Sequence, residues 1–300
     1  MRAGIITSIV AGTLAVGAAH GASVGILIEK SKSIYNAPVK GAKQVLGADV
    51  LELNMNGDAA TGKAHCEKMK GEGVKVVIAV GKGAAVAASK GLGGTPVVFC
   101  MVMSPKKAGL TGGTVTGITL DVPMENQLKA FKSIIPGIKN LGVVYSSKLS
   151  PTFVKEMKSA AGSQGITLVE KKVAGDAEVP NAIRSLKGNV DGLYLPPDRT
   201  VAKHDAFQFI ALFTFENNLP FMAPSDRFVK KGALIALMID FEEVGKQAAQ
   251  MAKKIAGGAS VSSVPVEPPQ TTILVLNQKT AQTIGINIPP ALLQESKIIK

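Results

Sequence analysis

The chain has 300 residues, 46% of them hydrophobic, with 32 glycines and 16 prolines, a composition that suits a globular α/β protein and excludes a disordered one. Its formal charge of +12 raises nucleic acid as a partner, but the lysines come in scattered pairs such as Lys106-Lys107, Lys171-Lys172 and Lys230-Lys231. With 4% aromatics and no tryptophan there is no basic, aromatic surface on which bases would stack, so no nucleic-acid partner is expected.

Met1-Arg2 makes a positive start, Gly4 to Val16 an uncharged apolar run, and Gly17 to Ala22 a set of small residues. That order predicts a signal peptide over residues 1–22, cleaved near residues 19–22, and a soluble protein exported to a periplasm. The apolar run is too short and too rich in Gly and Ala to span a bilayer, and no later segment reaches about 18 consecutive apolar residues.

Beyond the leader, runs rich in β-branched residues alternate with helical stretches, the pattern of a parallel sheet covered by helices. Strands are predicted over 23–28, 49–53, 74–80, 96–102 and 115–119, with helices over 35–46, 61–71 and 83–91. The alternation then starts afresh. Helices are predicted over 123–135, 151–165, 179–186 and 202–218, and strands over 141–145, 166–173, 192–195, 220–223 and 233–238. An amphipathic helix over 241–256 ends at Gly257-Gly258, and a passage rich in Pro and Ser leads to a strand at 272–276, a short helix and a tail. Two such sets followed by return segments imply two similar lobes and more than one crossing between them. The cleft of such a pair is a natural small-molecule site.

Cys66 falls on a predicted helix and Cys100 inside a buried strand, so two separate thiols are expected. His20, His65 and His204 are scattered, with no second ligand cluster, and neither a metal nor another cofactor is expected. No G-x-S-x-G elbow, H-E-x-x-H pair or ordered Cys–His arrangement appears, which argues against an enzyme. Gly81-Lys82-Gly83-Ala84 follows a strand and opens a helix, but Val86 stands where a dinucleotide fingerprint needs its third glycine. The turn reads instead as a seat for a carboxylate, held by backbone N–H groups and the positive helix end. Asp198 and Asp226 each follow a strand, and either faces the cleft or serves a local cap or turn. Tyr35 and Tyr145 stand where strands give way to loops or helices, whereas Phe99 and Tyr194 read as core.

Several segments taken together resemble one family. They are Phe99 to Pro105, Val115-Thr116-Gly117, Leu141 to Tyr145, Leu195 to Val201, Lys231 to Leu234, Val244 to Gln247, Asn277 to Ala281 and Ile284 to Pro289. In this order they resemble the ABC-transporter substrate-binding family that includes tryptophan and phenylalanine binders. The resemblance implies a periplasmic-binding-protein type I fold: two Rossmann-like α/β lobes with parallel-rich sheets, joined by three crossovers. One lobe would hold residues 23–120 and 240–262, the other 121–239 and 263–300.

In such proteins the ligand meets loops at the strands' carboxyl ends. Here these carry Ser31, Ser33 and Tyr35; Gly81, Gly83 and Ala84; Met103 and Ser104; Tyr145 and Ser146; Asp198; and Ser225 with Asp226. A ligand carboxylate would suit backbone N–H groups and the hydroxyls of Ser31, Ser33 or Ser104, and an ammonium would suit Asp226 or Asp198. Ala223-Pro224-Ser225-Asp226 departs from the Asp-Thr-Asp-like turn of better-known members, so their aromatic specificity does not carry over. The expected function is that of a periplasmic receptor for a small polar, amino-acid-like solute, monomeric and serving an ABC permease in the inner membrane. The alternative is a periplasmic ligand-sensing subunit for a membrane signalling protein.

Overall fold

The structure is a computed structural model that describes residues 23–48, 50–149 and 151–300. The predicted signal peptide lies outside the described residues. Val24–Ile28 (β1) leads through Ser33–Leu46 (α1) to Leu51–Asn54 (β2), and Ala59–Gly71 (α2) leads to Val76–Val80 (β3). Lys82–Gly91 (α3), Val97–Val102 (β4) and Val115–Thr119 (β5) complete a sheet of order β2-β1-β3-β4-β5 in which every pair is parallel. β1, β3 and β4 are buried along their whole length, as apolar strands covered by helices on both faces must be.

The second set begins with Met124–Ile134 (α4), Asn140–Ser146 (β6), Pro151–Ser163 (α5), Thr167–Val173 (β7) and Val179–Arg184 (α6). It continues with Gly192–Tyr194 (β8), His204–Glu216 (α7), Phe221–Met222 (β9), Asp226–Val229 (α8) and Ile235–Ile239 (β10). Phe241–Ala256 (α9) follows, then Thr272–Asn277 (β11), Gln278–Thr283 (α10), Pro290–Glu295 (α11) and Lys297–Ile299 (β12). The second sheet has the order β12-β11-β10-β9-β8-β6-β7, parallel except where β11 runs against β10. Three elements are not expected from the sequence, α11 among them, since one short helix is expected after β11 and two are present. α8 has four residues, too few to show a helical period, and β12 is a three-residue edge strand whose existence depends on pairing with β11.

α9 follows the second set in sequence but packs on the first sheet. Its Val244, Ala248, Met251, Ala252 and Ile255 are buried with Val24, Ile26, Ile78 and Val98. α1 and α9 meet backbone to backbone: a Cβ on Gly245 would stand 1.9 Å from the Pro38 carbonyl oxygen, and one on Gly41 1.9 Å from that of Glu242. Around this contact Lys40 and Gln44 donate to the Glu242 carboxylate at 2.9 and 2.8 Å, while Asp240 caps α9 by accepting from the Glu242 and Glu243 N–H groups.

Three segments connect the sheets. The chain leaves β5 for α4, leaves β10 for α9, and returns from α9 to β11. They are laced together by Thr119 N–H to Glu267 O, Glu267 N–H to Gly117 O, and Asp240 N–H to Thr271 O. Because β5 and β10 both depart from their carboxyl ends, the carboxyl edges of the two sheets turn toward the crossovers. Cys66 and Cys100 are both buried and unpaired, and burial pushes the Cys100 thiol up to about 12. Among the described residues no helix is long and apolar enough to cross a membrane.

Gly245→Val is expected to force α1 and α9 apart at a cost of about 2–3 kcal/mol, lowering Tm by about 5 °C or more. Gly162→Ala, in α5 with open space around the added methyl, is expected to leave Tm unchanged or slightly higher. Equal midpoints for the two variants in thermal melts would show that the close approach carries no stability.

Candidate functional site

At the carboxyl edge of the first sheet three loops converge. After β1, Ser31 is exposed and its Oγ accepts from Asn54 Nδ2 at 3.0 Å, while Ser33 is the exposed first residue of α1. Tyr35 is half-buried, and its hydroxyl donates to Glu29 Oε2 at 3.3 Å. Burial first, and then the negative Glu29, raises the phenol above its ordinary pKa. In the turn after β3, Ala84 is buried and the Gly83 N–H donates to the same Glu29 Oε2 at 2.9 Å.

The turn that reads from sequence as a carboxylate seat does hold a carboxylate, and it is the chain's own. A Cβ on Gly81, where φ is +100°, would lie 2.6 Å from Glu29 Oε2, and one on Gly83 would lie 2.9 Å from Glu29 Cγ. Both glycines therefore make room for Glu29, a residue that sequence reasoning missed although it directly follows β1. The end of β4 is irregular: its register to β5 shifts between Phe99 and Val102, Met101 and Ser104 have φ of 59° and 52°, and Met103 is 77% exposed.

At the carboxyl edge of the second sheet, Ser146 on β6 is buried beside Asp198, which is 4% exposed. Asp198 Oδ2 accepts from the Ser146 N–H at 2.6 Å, and Oδ1 accepts from the Ser146 hydroxyl at 3.2 Å and the Thr200 N–H at 2.8 Å. Burial pushes this carboxyl up, but the donors of Ser146 and Thr200 outweigh it and hold it below its ordinary value. Asp198 thus ties the ends of β6 and β8 together and does not cap α7, which starts at His204.

The Tyr145 hydroxyl donates to Glu170 Oε2 at 2.9 Å, and Lys158 Nζ stands 2.6 Å from Oε1. The Lys158 contact is the main reason the Glu170 carboxyl lies below its ordinary range, while burial raises Tyr145. These groups line a concavity of about 370 Å³ with Ser146, Ser147 and Lys155. Ser225 directly precedes α8, and Asp226 opens it with its Oδ2 3.3 Å from Lys230 and 3.8 Å from Lys297. Among the described residues no three His, Cys, Asp or Glu side chains come together as a metal site would need.

The sequence model of the ABC transporter substrate-binding proteins matches residues 38–300. The chain belongs to this family. A curated member, the tyrosine-binding protein of Clostridioides difficile, is 27% identical over 255 residues, covering 82% of this chain and 73% of that protein. The fold is likewise that of the type I periplasmic binding proteins. A ligand-free, open structure of a substrate-binding protein with adhesive properties from Clostridium difficile superposes with a TM-score of 0.75. It is 26% identical and covers 92% of this chain and 98% of its own. A Streptococcus pneumonia domain in complex with L-Trp is 25% identical, covers 93% of this chain and all of its own, and gives a TM-score of 0.53.

Because Asp198 is held below its ordinary value in the folded chain, it contributes stability that is present above that value and lost as pH falls through the folded pKa. Asp198→Asn is expected to cost about 1–3 kcal/mol near pH 7. Denaturant melts should show the variant losing less stability than the wild type between about pH 5 and pH 2. A cost that is the same at both ends of that range would show that the donors do not depend on the charge.

Proposed function

We propose that this family member is the extracytoplasmic solute receptor of an ABC importer. It is exported through residues 1–22, works as a monomer without catalysis, and hands a small polar, amino-acid-like solute to a permease in the inner membrane. The observation that carries this reading is the pair of superpositions. At nearly equal identity and coverage, the chain is much more like the open, ligand-free relative than the L-Trp-bound one. A difference of that kind between homologues of one fold suits two lobes that can stand apart or draw together.

The topology supports the same reading. Both sheets turn their carboxyl edges to the crossovers, so a solute seated between Ser31, Tyr35 and Gly83 on one side and Tyr145 and Ser146 on the other would bridge the lobes. Only a ligand that touches both lobes favours the closed arrangement, since equal affinity for open and closed forms shifts nothing. A permease that recognises the closed form would then read occupancy. The tyrosine-binding relative and the L-Trp complex favour an amino-acid-like solute over a sugar.

Thermal unfolding against a panel of amino acids, small carboxylates, sugars and nucleosides tests this directly. A cognate solute at about 100 times its Kd should add about 2.7 kcal/mol, a rise of about 5 °C in Tm. Small-angle scattering of that complex should show a smaller radius of gyration. Stabilisation by sugars or nucleosides alone would sink the amino-acid reading, and a flat panel from ligand-stripped protein would sink the receptor reading.

A further inference from the structure

Asp198, Asp226 and Glu29 lie at the two carboxyl edges and Glu170 in the middle of β7, and the structure separates these four carboxylates by their partners. Asp198 is saturated by Ser146 and Thr200 donors on both oxygens. Glu170 is engaged by Lys158 and the Tyr145 hydroxyl. Asp226 is paired through its Oδ2 with two ammonium groups, Lys230 at 3.3 Å and Lys297 at 3.8 Å. Glu29 is different. Its Oε2 takes the Gly83 N–H and the Tyr35 hydroxyl, whereas among the described residues Oε1 has only the Lys30 ammonium at 3.8 Å, beyond hydrogen-bond distance.

The surroundings of Glu29 are shaped to hold it in place. A side-chain carbon at position 81 would meet both its carboxylate and the Tyr35 hydroxyl within 3 Å, and one at position 83 would meet its Cγ at 2.9 Å. The side chain is 20% exposed, so the group is partly desolvated and its open oxygen still reaches solvent. A carboxylate held by two donors, with one oxygen open at the carboxyl edge of the sheet, is a preformed acceptor for a cation. The same geometry takes the Gly83 N–H at the start of α3 away from a ligand carboxylate, because Glu29 already occupies it.

We propose that Glu29 is the cation-selecting residue of the ligand site: its Oε1 accepts from a primary ammonium on the solute, and the solute's carboxylate, where it has one, is bound elsewhere. This rests on the receptor reading above. It predicts that the first lobe recognises amino acids and simple amines by the same group, and that it rejects the corresponding acids lacking nitrogen.

The test uses matched triplets of probes on the purified protein: L-tyrosine, tyramine and 3-(4-hydroxyphenyl)propionate, and the L-tryptophan and L-leucine sets built in the same way. Calorimetry should find binding confined to ammonium-bearing members. Glu29→Gln, which keeps the shape and an acceptor for Gly83, should weaken those members at least tenfold while Tm of the free protein stays within about 2 °C. Gly83→Ala, which displaces the carboxylate without removing its charge, should also weaken them. Nitrogen-free acids that bind as tightly as the amino acids, or a Glu29→Gln affinity within twofold of wild type, would overturn the role of Glu29 and leave the receptor reading standing. Binding by no member of any triplet would overturn this role of Glu29 together with the amino-acid reading, and the receptor reading would then stand or fall with the wider solute panel.

Discussion

After β5 the chain enters the second lobe, and it must bring sixteen residues back onto the first sheet before it can lay down β11 and β12. That return depends on α9 finding a place against α1. Gly41 and Gly245 provide it by removing the side chains that would hold the helix backbones apart. Burial of Val244, Ala248, Met251 and Ile255 then supplies the apolar surface that keeps α9 seated. Two of the three crossovers begin or end at this helix, so the relation of the two carboxyl edges depends on the pair of glycine-to-backbone contacts between α1 and α9. A single connection would leave the lobes free to twist, whereas three laced ones confine them to a hinge.

Within that frame, the acidic groups divide by what they are given to hold. Asp198 is used for architecture, tying the ends of β6 and β8 with three donors. Asp240 is used to start α9. Glu170 and Asp226 are balanced by lysines. Only a group whose local needs are half met has capacity left for a ligand, and Glu29 fits that description. Small-molecule sites work through a few oriented polar groups on a rigid scaffold, and the strands beneath Glu29 are wholly buried.

The parts of the fold that were legible in the sequence are those with a local period. The apolar runs at 76–80 and 97–102 declare buried strands, and the repeat over 241–256 declares a helix with one apolar face. α8 and β12 have no such period and exist through their neighbours. The site was legible to the same extent. The Gly81-Lys82-Gly83 turn announces an anion seat, but its occupant stands 54 residues earlier in the chain. Asp198 was ambiguous between cleft and cap because Ser146, 52 residues away, decides its role. The pairing of Gly41 with the α9 backbone spans still more of the chain. Each of these contacts is made by topology, and no local spacing encodes it.

The clearance around Glu29 is reciprocal. The two glycines are needed because a long acidic side chain lies over them, and that side chain fits because they carry no Cβ. Positions 29, 81 and 83 are therefore a linked set in evolutionary terms. A branch of the family that gains a side chain at either glycine must shorten residue 29 or move the turn, and one that loses the acid at 29 frees position 83, while position 81, at φ +100° and close to the Tyr35 hydroxyl, still favours glycine. The three positions read together mark which relatives share this packing, without a structure of any of them.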